Sequence, residues 1–185
     1  MNWKTIILGL SVALIAASQG FAGDDHRERD YDSRERHHEK REGRSDLPQV
    51  NNQGYLKECG ACHFAYQPGL LPSRSWNSLM NTLDKHFGTD ASLDDDTKAK
   101  ITAYLTDNSA ENSPSKRSRK FLNSIPASET PLRISETPYF KDKHREIRAS
   151  VYKRESIKSP AHCDKCHTSA DRGSYSEDFV KIPKK

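Results

Sequence analysis

The chain has 185 residues, of which 33% are hydrophobic and 30% charged, and a formal net charge of +4. So little apolar material makes a poor core, and a thin-cored scaffold needs a staple such as a disulfide, a metal or a large prosthetic group. The basic residues are dispersed, which argues against nucleic acid as a partner, and a mildly basic surface suits electrostatic docking with an acidic protein.

Residues 1–22 read as a secretory signal peptide: Lys4 supplies the positive start, residues 5–18 the apolar stretch, and Gly20-Phe21-Ala22 the small residues before a cut after Ala22. A retained anchor is the alternative, but the apolar run is short of the roughly 20 residues that span a bilayer. Export predicts a periplasmic protein with no stable membrane insertion. Residues 23–46 contain one aromatic and no aliphatic side chain larger than alanine. They are predicted to form a disordered, mixed-charge arm, because they cannot bury enough surface to offset the entropy of ordering. His26, His37 and His38 could hold a metal ion loosely there; a solubilising tail is the simpler reading.

The folded part is predicted to start at Leu47. Residues 49–62 read as a helix that delivers Cys59-Gly60-Ala61-Cys62-His63, after which Pro68, Gly69 and Pro72 break the chain. Ser73 is the predicted cap of a helix over 74–87. Its apolar residues Trp76, Leu79, Met80, Leu83 and Phe87 keep helical spacing, His86 lies near its end, and Gly88 stops it. Ser92 is the predicted cap of a helix over 93–107. Asp94-Asp95-Asp96 then sit at its positive end, which accounts for them without a calcium site. Residues 108–119 are polar, with a short helix predicted over 115–123, and Pro126, Pro131 and Pro138 keep the following stretch extended or turning. A helix over 139–153 carries Phe140, His144, Ile147 and Val151. Pro160 is expected in the first turn of a helix bearing Cys163-Asp164-Lys165-Cys166-His167. The tail, 168–185, has little pattern. The expected division is a first half at 47–110, a linker at 111–138 and a second half at 139–185, with 47–182 forming one compact unit.

Both cysteine motifs read C-x-x-C-H, the attachment pattern of c-type haem. On one helical turn, positions i, i+3 and i+4 share a face. Two cysteines can form thioethers to the porphyrin edge while the histidine reaches the iron. All 4 cysteines are used in this way. A single zinc ribbon is a poor alternative, because the two motifs lie far apart in sequence. The expectation is two covalent haem c groups, held by Cys59 and Cys62 and by Cys163 and Cys166, with His63 and His167 as proximal iron ligands. The implied fold is all-α, with short helices packed around the haems and little or no β-structure.

The sixth iron position decides the chemistry, since an open one admits small molecules and a filled one favours electron transfer. His162 adjoins Cys163 and is tied to the proximal side. That leaves His86 and His144 as distal ligands, assigned to the first and second haem, with a crossed assignment open and Met80 a rival at the first. The two intervals, His63 to His86 and His144 to His167, are equal in length. Trp76, Phe87, Phe140 and Ile147 are expected to pack on the haems, and Arg74 and Arg145 are candidate propionate partners.

The stretches Ser75-Trp76 through Leu83 to His86-Phe87-Gly88, Asp90-Ala91-Ser92-Leu93 and Lys143-His144-Arg145-Glu146-Ile147, together with both haem motifs, resemble the bacterial dihaem cytochrome c family over about residues 47–182. The resemblance implies a soluble, mostly helical periplasmic electron carrier, not an enzyme, with His86 and His144 as distal ligands of bis-histidine haems. It implies an oxygen-binding monohaem cytochrome c as acceptor and a membrane cytochrome b as donor. The charged arm departs from the family pattern. The alternative function is a haem enzyme, a peroxidase or a nitric oxide- or oxygen-reactive protein, with one labile sixth site.

Overall fold

A computed structural model describes residues 46–184. The stretches expected to be a signal peptide and a charged arm, up to residue 45 and with His26, His37 and His38, lie outside the described residues. Within them the secondary structure is helical, with no strand and two isolated bridges, His86 with Thr89 and His167 with Val180. No described helix is long and apolar enough to cross a membrane.

Helix α1, Gln53–Gly60, starts later than its apolar pattern suggests because Asn52 caps it, its side chain accepting from Tyr55 N at 2.8 Å. It also ends early, so Cys59 lies on the last turn while Cys62 and His63 lie beyond the helix. The Pro68–Leu70 turn leads into α2, Ser73–Asn81, with Pro72 rather than Ser73 at the cap position. The helix expected to run on to Phe87 stops at Thr82 (φ −126°, ψ 32°), whose hydroxyl bonds back to Ser78 O at 2.9 Å. A single 3₁₀ turn, Leu83–Lys85, follows, and His86 sits at its end. The chain then reverses through Phe87 (φ 51°) and Gly88 (φ 94°), and Thr89 N closes the turn on His86 O at 3.0 Å. Two consecutive positive φ angles suit Gly88; they are costly at an aromatic residue such as Phe87.

Helix α3, Asp95–Asp107, is capped by Asp94, whose carboxylate accepts from Thr97 N at 2.9 Å. The acid run thus displaces Ser92 from the capping role. Helix α4, Lys116–Ser124, lies one residue later than the expected 115–123, because Ser115 is its cap. The helix expected over 139–153 is two pieces, α5 at Pro138–Lys143 and α6 at Ala149–Tyr152. The break falls at His144 (φ −111°, ψ 11°), whose ring also bonds the Phe140 carbonyl that its own backbone N–H uses. The second cysteine motif lies on a 3₁₀ turn, Cys163–Lys165, and not on the expected α-helix. The tail is more ordered than its composition suggests. Lys181 N bonds Cys166 O at 2.8 Å, Leu47 N bonds Gly173 O at 3.0 Å, and Gly173 (φ 74°) closes a 3₁₀ turn at Ala170–Arg172.

Apolar side chains are spent unevenly. Helices α2 and α3 enclose the main core with Tyr55, Leu71, Trp76, Leu79, Met80, Leu83, Ile101 and Leu105. A smaller cluster joins Leu47, Leu70 and Phe121. Beyond residue 126 the buried hydrophobic residues are Ile157 and Ala170. The stretch around the second motif therefore lacks a side-chain core of its own, as expected where a large apolar group supplies it. Residues 111–138 contribute the buried Ser113, Ser118, Phe121, Ile125 and Thr137.

Candidate functional site

Four histidines meet in two pairs. The His63 and His86 rings have centroids 6.2 Å apart with planes 21° from parallel. The His144 and His167 rings are 6.0 Å apart with planes at 76°. A metal–imidazole bond of about 2.0–2.1 Å, plus about 1.1 Å from nitrogen to ring centre, taken on both sides, separates the centroids by about 6.2–6.4 Å. Each pair is thus spaced to hold one metal ion between its rings.

Local structure sets these rings for ligation. With His63 Nδ1 donating to Phe64 O at 2.8 Å and His144 Nδ1 donating to Phe140 O at 2.9 Å, the Nε2 lone pair of each is presented outward. Phe140 stacks on His144 at 3.9 Å, and Phe87 lies 4.8 Å from His86. Burial lowers the pKa of His86, helped by His63 and Arg133. Burial does the same at His144, against the Phe140 carbonyl, which favours the charged form. At His167 burial, with His144 and Arg117 nearby, brings the pKa down to about 4. All three are held as neutral imidazole, the form that binds a metal.

The thiols point the other way. Burial raises Cys163 to about 12 and Cys59 to about 11, and it raises Cys166 as well. Cys59, Cys163 and Cys166 are thus held as thiols rather than thiolates. No described cluster of three or more His, Cys, Asp or Glu could form a metal cage. Two polar atoms beside the second pair are buried and without a hydrogen-bond partner: Arg117 Nε and Tyr152 OH. Tyr152 lies near Cys166 and Cys163. Buried polar atoms are ordinarily bonded, so these fit a polar-rimmed prosthetic group seated there.

Other expected residues fall as follows. Trp76 is 5% exposed in the main core and donates its indole N–H to Pro68 O at 2.8 Å. Met80 is buried in the same core, and it is the His86 ring that faces His63. Ile147 is half-buried, its N–H bonding His144 O at 2.9 Å. His162 bonds Ile157 O through Nδ1 at 2.5 Å. Arg74 is engaged with the carbonyls of Glu129 and Pro126, and Arg145 with Asp142. The arginines beside the sites are different ones. Arg133 stands 3.8 Å over the Phe87 ring, and Arg117, paired with Asp46 at 3.0 Å, lies near His144 and His167. Neither carries a sequence signal: Arg133 sits in a proline-punctuated stretch and Arg117 in a run of basic residues. Tyr66, Gln67 and Tyr175 also escape a reading based on histidines and periodicity.

The model of the dihaem cytochrome c family matches residues 55–175. The chain belongs to the dihaem cytochrome c family. Membership means two covalently bound c-type haems and a haem protein of electron transfer. Among solved structures, a diheme cytochrome c from Rhodobacter sphaeroides is 43% identical; the match covers 70% of this chain and 99% of that one, with a TM-score of 0.62. The diheme cytochrome c sb-DHC from Shewanella baltica OS155 is 34% identical over 72% of this chain and 94% of that one, with a TM-score of 0.59. No curated protein is significantly similar to the chain. The all-helical architecture of the described residues agrees with that of a dihaem cytochrome.

Proposed function

We propose that this dihaem cytochrome is an exported, periplasmic electron carrier in which each iron is held between two imidazoles. Cys59 and Cys62 form the thioethers of the first haem and Cys163 and Cys166 those of the second. His63 and His86 ligate the first iron, and His167 and His144 the second. When bound, each haem supplies a reversible Fe(III)/Fe(II) couple. The observation that carries this reading is the pair of ring spacings, 6.2 and 6.0 Å, each fitted to one metal ion.

The chain's own residues hold the ligands still and keep reagents out. The Phe64 and Phe140 carbonyls fix two imidazoles in one tautomer, and Phe140 and Phe87 flank the distal rings. Ligands held on both sides leave little to rearrange when charge changes, which suits electron transfer better than substrate turnover. Trp76 and Ile147 serve as apolar packing, and Arg133 and Arg117 as partners for propionates. By family resemblance, the acceptor is an oxygen-binding monohaem cytochrome c and the donor a membrane cytochrome b.

Carbon monoxide tests the reading. The dithionite-reduced, undenatured protein is expected to keep its visible spectrum under carbon monoxide. A shift of either haem would mean an open or labile sixth position, and the haem-enzyme reading would replace this one.

A further inference from the structure

The two sites are joined through two adjacent residues. Tyr66 stacks on His63, with centroids 5.2 Å apart and planes at 27°. Its hydroxyl donates to Ala161 O at 2.7 Å, two residues before Cys163. Gln67 is 1% exposed and fully engaged with the second site. Its amide donates to Ala170 O at 2.6 Å, and its carbonyl accepts from Tyr175 OH at 2.5 Å. The Tyr175 ring in turn lies 5.2 Å from His167. The same stretch of backbone is clamped from the first core, Tyr55 OH donating to Tyr66 O and Trp76 to Pro68 O.

We propose that Tyr66 and Gln67 are the positioning pair that couples the two metal sites, holding the proximal imidazoles His63 and His167 in one fixed relation. The proposal rests on the bis-histidine reading above. Neither site needs this link for its own ligands, since each has its own cysteines and histidines. A buried Gln costs stability unless its amide is satisfied, and here both ends are satisfied by the second site alone. In a two-site carrier the transfer between sites is one electron leaving the reduced iron and entering the oxidised one. That transfer falls steeply with separation, so a residue that fixes the separation controls its rate.

The test uses the full holo protein and the variants Tyr66→Phe, Tyr66→Leu and Gln67→Leu, with Leu105→Ala as a core control. Two quantities are read: the low-spin paramagnetic resonance signal of each haem, and the rate of electron exchange between haems after photoreduction. Tyr66→Phe, which loses the bond to Ala161 O, and Gln67→Leu, which loses the bonds to Ala170 O and Tyr175 OH, are expected to slow exchange severalfold, because each frees the separation that those bonds fix. Tyr66→Leu should slow it further and shift both haem signals. Leu105→Ala should slow nothing, although it destabilises the core. Should Tyr66→Leu fail to fold, Tyr66→Phe and Gln67→Leu still decide the matter. Parental exchange in both of them, with both haems low-spin, overturns the proposal, as does equal slowing in Leu105→Ala. A high-spin signal in the parent protein would instead overturn the ligation reading, before any variant is made.

Discussion

Thr137→Val probes how local structure holds the second distal ligand. Thr137 is 0% exposed and caps α5, the helix that carries Phe140 and ends at His144. Its hydroxyl donates to Ile134 O at 2.7 Å and accepts from Phe140 N at 3.4 Å. Valine keeps the shape and removes both bonds. Losing the cap costs about 1 kcal/mol. The bond to Ile134 O adds about 0.5 kcal/mol rather than a full hydrogen bond, because Thr137 N still donates to that carbonyl at 3.2 Å. A loss of about 1.5 kcal/mol lowers Tm by roughly 3–6 °C for a chain of this size. Thermal melts followed by far-ultraviolet circular dichroism and by Soret absorbance should both show the drop, and Thr137→Ser should restore most of it. Because the Phe140 ring and carbonyl position His144, reduced Thr137→Val should also admit carbon monoxide at the second haem before the first. A melt within about 1 °C of the parent, or carbon monoxide entering at the first haem, would refute this reasoning.

Three further outcomes follow from the packing. Gly69→Ala would place a Cβ 2.5 Å from Ser118 Oγ and 3.0 Å from Ser113 Oγ. Such overpacking costs about 1–3 kcal/mol, read as a lower urea midpoint, and Gly69→Ala with Ser118→Gly should recover part of it. Asp94→Ala removes the α3 cap and should cost about 1 kcal/mol, with Asp94→Asn nearly neutral in the same assay. Tyr55 is 2% exposed, and burial raises its phenol well above the usual range. The folded state therefore keeps this proton when the unfolded chain has lost it, so the contribution of Tyr55 is full below about pH 10 and is lost as pH rises beyond it, by at most about 1.4 kcal/mol per pH unit for this one group. Tyr55→Phe should remove this share of the alkaline slope in urea titrations run at successive pH values, leaving the share of the other buried tyrosines.

The haem chemistry was readable because it is covalent and local: a cysteine pair with a following histidine needs no tertiary knowledge. Fold class was readable for a related reason, since few apolar residues at helical spacing leave little else to build. Helix boundaries were less legible, and the misses share a cause. At Asn52 and Thr82 a polar side chain bonds nearby backbone and moves a helix start or end by several residues, and Asp94 takes the cap from Ser92, a competition that hydrophobic periodicity does not register. His86 and His144 accordingly lie at turns and not within helices, which frees their rings to face His63 and His167. The arginines and tyrosines beside the sites were invisible because their partners lie far away in sequence, as with Tyr66 and Ala161 or Arg117 and Asp46.

Paramagnetic resonance of the oxidised holo protein, with His86→Ala and His144→Ala beside it, tests the ligation most directly. Imidazole planes at 21° predict a rhombic low-spin signal from the first haem, and planes at 76° a strongly anisotropic one, with a single large g value, from the second. Each alanine should abolish its own signal and leave a high-spin haem in its place. A high-spin component in the intact parent, or both signals surviving either substitution, would contradict the account.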